Sequence, residues 1–306
     1  MSRIRARARK IGKQLKHNLI YYATLGLLFI FRRLSRRRAL ALGGKLGELA
    51  GWVLRGERER VRRHLSVAFG DRASDRWVRQ VFVDLGKNAV DAFRLRITSE
   101  EELRRMVREE GFEHLDHALA QGKGVIALTG HIGNWELLGA YVAMRGYPLH
   151  VVGRRLNNPR LDRLVVENRE GAGVRNIARG RGTRAILRAL RRGEMVGFLI
   201  DQDTKVDGVF VDFFGRPAYT PIGPVVLAMK TGASIVPVAI HRKVDGTHHV
   251  VVRKAISLVH TGDEMEDRRV NTERCSKALE WFIREHPTQW VWMHRRWKTR
   301  PKRVTD

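Results

Sequence analysis

Gly124-Val125-Ile126-Ala127-Leu128-Thr129-Gly130-His131-Ile132-Gly133-Asn134-Trp135-Glu136-Leu137-Leu138 is the stretch on which the fold turns. The apolar, β-branched run closed by Thr-Gly reads as a buried strand ending in a turn. The residues after Gly133 are good helix formers. His131 therefore stands at a strand-to-helix corner, where a side chain projects clear of a sheet. A neutral imidazole there can take a proton from an alcohol, and a carboxylate such as Glu136 can hold its tautomer and stabilise the imidazolium. The other reading is a corner histidine that bonds a backbone carbonyl.

Outward from this stretch, strand-like and helix-like runs alternate. The strand candidates are 125–128, 149–153, 174–178, 195–200, 209–213, 235–241 and 249–252. Helical patterns cover 135–144, 158–170, 183–191 and 221–231, with a long helix near 266–285. Alternation of this kind implies an α/β fold with a mostly parallel sheet flanked by helices. Residues 57–110 read as helical, with apolar positions such as Trp77, Val78, Val81, Phe82 and Leu85 at three-four spacing. The organisation is a basic arm with anchoring or interfacial helices over 1–56, then one catalytic domain over 57–306.

The chain carries 59 Lys and Arg against 32 Asp and Glu, a formal charge of +27. Such a balance seeks polyanions: nucleic acid, an anionic membrane, or acidic carriers and substrates. Cys275 is the single cysteine, so an intrachain disulfide and a multi-cysteine metal site are excluded. Residues 1–38 hold twelve cations and no acid. Within them, 18–31 is mostly apolar, about 21 Å as a helix at ~1.5 Å per residue, against the ~30 Å hydrocarbon core. Arg32-Arg33 follow without a small-residue cleavage site, so this is read as a retained N-terminal membrane-anchoring helix that dips into or marginally crosses the bilayer. A buried N-terminal helix is the alternative.

Met195-Val196-Gly197-Phe198-Leu199-Ile200 reads as a central strand ending in Asp201-Gln202-Asp203. Ligands of open α/β sheets lie at the carboxyl ends of strands, so Asp201 and Asp203 are expected near His131. Arg154 and Arg155 follow another strand at the same kind of end. Ten arginines fall within 160–192, fit for bidentate phosphate contact or for solvated helix faces. The segment 213–224 reads as a loop, with Thr220 capping the helix that Pro221 opens. Trp290, Trp292 and Trp297 are interleaved with cations, as in an interface belt, a phosphate-ligand site or a core with a basic rim. No G-x-S-x-G, Walker loop, G-x-G-x-x-G or H-E-x-x-H occurs. The adjacent His248-His249 in a strand would point to opposite faces and make a poor metal site.

Five segments in this order resemble the lipid A biosynthesis acyltransferases, the lauroyl and myristoyl transferase family within the lysophospholipid and glycerolipid acyltransferase superfamily. They are His131–Glu136, Asp201–Asp203, Phe213–Gly223, Thr231–Pro237, and Gln289-Trp290 through Trp297. The resemblance implies transfer of an acyl chain from acyl carrier protein or acyl-CoA to the hydroxyl of an anionic lipid. It places this at the cytoplasmic face of the inner membrane, and no nucleic acid, cofactor or metal is expected. It further implies His131 as general base and Glu136 as its orienter, with Arg169 and Asp201 supporting. Arg154, Arg155 and Asp203 are added as substrate-binding candidates from their places at strand ends. The oxyanion would need a backbone N–H of the Gly130–Gly133 corner, or an arginine. Acceptors in this family include mannosylated inositol lipids, so the lipid is open. A non-catalytic basic membrane or nucleic-acid binder and a hydrolase using the same pair are the rival readings.

Overall fold

A computed structural model describes residues 2–178, 180 and 182–301, with the side chains of the first helix described from residue 14 onward. Three helices lead the chain: α1 (Ser2–Arg33), α2 (Arg36–Val53) and α3 (Arg55–Phe69). The fourth, α4 (Asp75–Arg94), is followed by α5 (Glu100–Met106), β1 (Val107–Glu110) and α6 (Glu113–Ala120). Then come β2 (Val125–Thr129), α7 (Trp135–Met144), β3 (Leu149–Gly153), α8 (Pro159–Glu170), β4 (Arg175–Ala178), α9 (Thr183–Arg191) and β5 (Met195–Leu199). The chain continues through β6 (Gly208–Phe213), β7 (Arg216–Pro221), α10 (Gly223–Thr231), β8 (Ser234–Arg242), β9 (His248–Val252) and α11 (Glu264–Glu285).

The seven-stranded sheet runs β1-β9-β8-β2-β5-β3-β4, and β8–β9 is its antiparallel pair. Every residue of β2 is buried, as a strand covered by helices on both faces requires. Alternate residues feed two cores: Ile126 and Leu128 into one, Val125 and Ala127 into the other. The register pairs Thr129 with Leu199, so the carboxyl ends of β2 and β5 lie side by side. That register delivers His131 and Asp201 to one place. α7 starts where Asn134 caps it, its side chain accepting from the Leu137 N–H at 3.2 Å.

The structure corrects the sequence reading in four places. β1, read as helix, is an edge strand paired with β9; one buried valine followed by three exposed charges leaves no period-two signal. The segment 213–221, read as a loop, closes a β-hairpin: Phe213 ends β6, Phe214 and Gly215 turn, and 216–221 form β7. Phe214 and Gly215 both have positive φ (55° and 74°), as a two-residue type I′ hairpin turn requires. Prolines at 217 and 221 are tolerated because this sheet has only two strands. Thr220 lies in β7 and does not cap α10; its hydroxyl donates to Ala218 O at 3.0 Å.

The fourth correction concerns the N-terminus. No described helix is long and apolar enough to cross a membrane. The run 18–31 belongs to the 32-residue α1. Its last turn is seated on α4, with Phe31 buried against Val90 and Arg94 Nη1 donating to the Phe31 and Leu34 carbonyls at 2.5 and 2.7 Å. α2 in turn lies along α4 at a spacing only glycine allows. A Cβ on Gly47 would come 2.1 Å from Phe82 O, and one on Gly86 2.1 Å from Gly43 O.

Candidate active site

His131 Nδ1 lies 2.9 Å from Asp201 Oδ1, and the His131 backbone N–H donates to Asp201 Oδ2 at 2.7 Å. Trp290 Nε1–H donates to the same Oδ2 at 2.7 Å. Asp201 is fully buried, whereas the imidazole keeps 23% of its side-chain surface open. The ionised carboxylate thus accepts at Nδ1, which places the proton there and leaves Nε2 as the basic nitrogen. Burial pushes the imidazole down, but the Asp201 charge and hydrogen bond, with Glu136 adding, hold it above the usual histidine value. Burial likewise pushes Asp201 up; the His131 charge and the three hydrogen bonds overcome this and bring it to about 2.

The sequence paired His131 with Glu136. In the structure Glu136 is clasped instead by Arg169, whose Nε and Nη2 reach its two oxygens at 2.8 and 2.5 Å. The third guanidinium nitrogen donates to Asn176 Oδ1 at 3.3 Å. Burial alone would lower the Arg169 guanidinium, but the Glu136 hydrogen bonds and charge raise it above its ordinary value. So Glu136 acts on His131 through space, and the Nδ1 contact belongs to Asp201.

The corner is braced from behind. Ile132 bridges Trp290 in antiparallel fashion, with Gly133 N donating to Gln289 O at 2.6 Å and Val291 N to His131 O at 3.2 Å. Gly133 (φ 55°) has room for no Cβ: it would lie 1.8 Å from Ile240 O. Asn88 of α4 donates to Gly133 O at 2.8 Å and is held by Arg242 Nη2 at 3.0 Å, while Arg242 Nη1 reaches Asp91 at 2.7 Å. Burial opposes ionisation of Asp91, yet His248, Arg242 and Arg36 hold it below the usual carboxylate range.

His131, Glu136 and Arg169 open on one cavity of about 1090 Å³. Its walls between α7 and the sheet are apolar, with Ala127, Leu138, Val142, Leu149, Val151 and Met195 among them. Arg154 and Arg155 also line it; both are exposed and form no ion pair among the described residues. Asp203 is elsewhere: it is buried and holds the tail, accepting from Thr299 N at 2.8 Å and lying 3.6 Å from Lys298 Nζ. Of the ten arginines at 160–192, Arg179 and Arg181 lie outside the described residues. Arg175 and Arg192 contact Glu194, and Arg160 stacks over Tyr21. Trp290, Trp292 and Arg296 are core residues rather than an exposed belt. Among the described residues no group of three or more His, Cys, Asp or Glu is placed to hold a metal ion. Burial pushes the Cys275 thiol up to about 12.

Residues 9–299 match the family of bacterial lipid A biosynthesis acyltransferases. The chain belongs to this family. Among its relatives in the family, the lipid A biosynthesis lauroyltransferase of Escherichia coli (strain K12) is 26% identical over 285 residues, 92% of either chain. The lipid A biosynthesis palmitoleoyltransferase of the same strain is 26% identical over 283 residues, 90% of either chain. A phosphatidylinositol mannoside acyltransferase of Mycobacterium tuberculosis (strain ATCC 25618 / H37Rv) is 34% identical over 131 residues. That match spans less than half the length of the relative, 42% of it and 42% of this chain.

Reading the residues alone passed over Asn88, Gln289 and the indole of Trp290 as parts of the site. Asn88 had a signal: Asp84, Asn88 and Asp91 form a polar i, i+4, i+7 line, and all three are buried on the face of α4 that also carries Val78, Val81, Phe82 and Val90. Gln289 and Trp290 stood out as composition, with nothing local to tie them to His131.

Proposed function

We propose that this chain is an O-acyltransferase that moves a fatty acyl group from a thioester donor to a hydroxyl of a phosphorylated glycolipid of the lipid A precursor type. The observation that carries the reading is the His131–Asp201 pair opening on a large, mostly apolar cavity. An oriented imidazole with a free Nε2 fits a hydroxyl, and an apolar chamber of this size fits an acyl chain. His131 Nε2 takes the hydroxyl proton as the oxygen attacks the thioester carbonyl. The tetrahedral oxyanion collapses, the C–S bond breaks, and the imidazolium returns the proton to the leaving thiolate. No acyl-enzyme is required. Glu136 adds negative charge beside the imidazolium and Arg169 fixes it in place. Arg154 and Arg155, unpaired at the cavity wall, are suited to acceptor phosphate.

The donor is acyl carrier protein or acyl-CoA, and a charge of +27 suits an acidic carrier. The chain works at the cytoplasmic face of the inner membrane, lying on it. Exposed Leu19, Tyr22, Phe29 and Ile30 of α1, and Leu49, Trp52 and Val53 of α2, beside many cations, support an interfacial anchor. A second acceptor, a phosphatidylinositol mannoside, is favoured by the higher identity of the shorter mycobacterial match. The test is mass spectrometry of vesicles carrying either lipid, incubated with the protein and each donor. Acyl transfer to the lipid A precursor supports the primary reading; transfer to the mannoside alone replaces the acceptor; free fatty acid alone makes the protein a hydrolase.

A further inference from the structure

Attack of a hydroxyl on a thioester places a full negative charge on the former carbonyl oxygen, and some donor must meet it. Most donors around His131 are already taken. The His131 N–H is spent on Asp201 and the Gly133 N–H on Gln289 O. Arg169 spends its Nε and Nη2 on Glu136 and its Nη1 on Asn176. Arg154 and Arg155 are exposed side chains rather than interior ones. Against this background Thr129 stands out. It is 6% exposed, lines the same cavity as His131 and Glu136, and its Oγ1 is buried with no hydrogen-bond partner among the described residues. A buried hydroxyl without a partner is destabilising, so valine would serve this strand position better if packing were its only task. Threonine sits on the α7 face of β2 with Ala127, two residues before the base. Asn176 Nδ2 is also unpartnered at the cavity wall, but β5 and β3 separate its strand from β2, so the two cannot meet the same atom.

We propose that Thr129 is a catalytic residue: its hydroxyl donates a hydrogen bond to the thioester carbonyl oxygen and holds the oxyanion while His131 carries the proton. This rests on the acyl-transfer reading above. The step balances: the acceptor O–H bond breaks to His131 Nε2, the new C–O bond forms, and the C=O pair moves onto oxygen against Thr129. On collapse that pair re-forms the carbonyl, and the thiolate leaves with the proton from His131. Thr129 donates throughout and is not itself acylated.

The test compares Thr129→Val and Thr129→Ser with the wild type, using a long-chain acyl-CoA and vesicles containing a lipid A precursor. Thr129→Val keeps the shape and removes the donor. It is expected to lower kcat by about 10²–10³-fold, the usual loss for one oxyanion donor, with donor KM nearly unchanged. The acid limb of the pH–rate profile should stay in place, because His131 and Asp201 are untouched. Thr129→Ser should restore most of the rate. Thr129→Val should melt at or above the wild-type temperature, since it removes an unsatisfied buried hydroxyl. A purely structural residue would instead lose rate and Tm together. Thr129→Val within fivefold of wild-type kcat, Thr129→Ser as slow as Thr129→Val, or a rate loss tracking a fall in Tm would each overturn the assignment. If the wild type transferred no acyl group from either acyl-CoA or an acyl carrier protein thioester, the acyl-transfer reading would fail along with this one; an active wild type beside an equally active Thr129→Val removes Thr129 alone.

Discussion

Asp201→Asn should separate the two candidate orienters of His131, because the structure dictates how the amide must sit. Oδ2 accepts from the His131 backbone N–H and from the Trp290 indole N–H, both at 2.7 Å, and neither group can become an acceptor. The amide oxygen must therefore occupy the Oδ2 place. Its NH2 then faces His131 Nδ1, which has to accept rather than donate. The ring proton moves to Nε2, the nitrogen that should take the hydroxyl proton. The fold is left intact, since every partner stays satisfied, but the base is in the wrong tautomer. A change of this kind in a serine-protease triad costs about 10⁴-fold in kcat, or ~5.5 kcal/mol at ~1.4 kcal/mol per tenfold. We predict a loss of that order, with Tm close to wild type. The assay is acyl transfer from labelled acyl-CoA, with ¹⁵N spectra of the histidine ring to report the tautomer. A variant retaining more than a tenth of the wild-type rate, or one whose Nδ1 remains protonated, would rule out Asp201 as the group that sets the His131 tautomer.

Glu136→Gln should behave differently, losing stability as well as rate by leaving the half-buried Arg169 guanidinium without its charged partner. We expect about 1–3 kcal/mol in denaturant unfolding, less than additive with Arg169→Met in a double-mutant cycle; strict additivity would show that the pair is not coupled. Since the imidazole must be neutral to act and is held above the ordinary value of 6.5, kcat/KM should rise with pH through an apparent pKa above 6.5. In Asp201→Asn only the Glu136 charge still opposes burial, so the residual activity should carry its acid limb to lower pH; an unmoved limb would assign the titration to another group. Replacing Arg154 and Arg155 together with Gln should raise acceptor KM while leaving acyl-CoA KM nearly unchanged, and equal changes in both constants would make them a general field.

The helices and strands around the site were legible because their signals are local. β2 and β5 are unbroken apolar runs, and Asn134 and Asn158 mark where α7 and α8 begin. Placing Asp201 at the end of β5 near His131 followed from strand direction alone, whereas the same argument misplaced Asp203, which turns away to hold the tail. The carboxylate at Nδ1 differs from the one that spacing suggested for a related reason. Glu136 is five residues from His131, whereas Asp201 reaches it only through the pairing of β2 with β5, seventy positions away in the chain. Local spacing suggests a partner and only register decides it. Arg169 shows the same limit, since its fork meets a carboxylate contributed by another helix. β1 and β7 escaped because exposed charges hid one and prolines the other. The tryptophans near the C-terminus carried three readings: an interface belt, a phosphate-ligand site or a core with a basic rim. Only tertiary packing shows Trp290 bonding Asp201 from inside the core.

The most direct test of the account is lipid mass spectrometry of vesicles carrying a hydroxylated, phosphorylated glycolipid, incubated with acyl-CoA or acyl carrier protein thioester and either wild-type protein or folded His131→Ala. An acylated lipid is expected from the wild type, and at least a hundredfold less from His131→Ala, in keeping with the ~10²–10⁴-fold value of a general base. Equal product from both proteins, or free fatty acid without acylated lipid, would contradict the acyl-transfer reading.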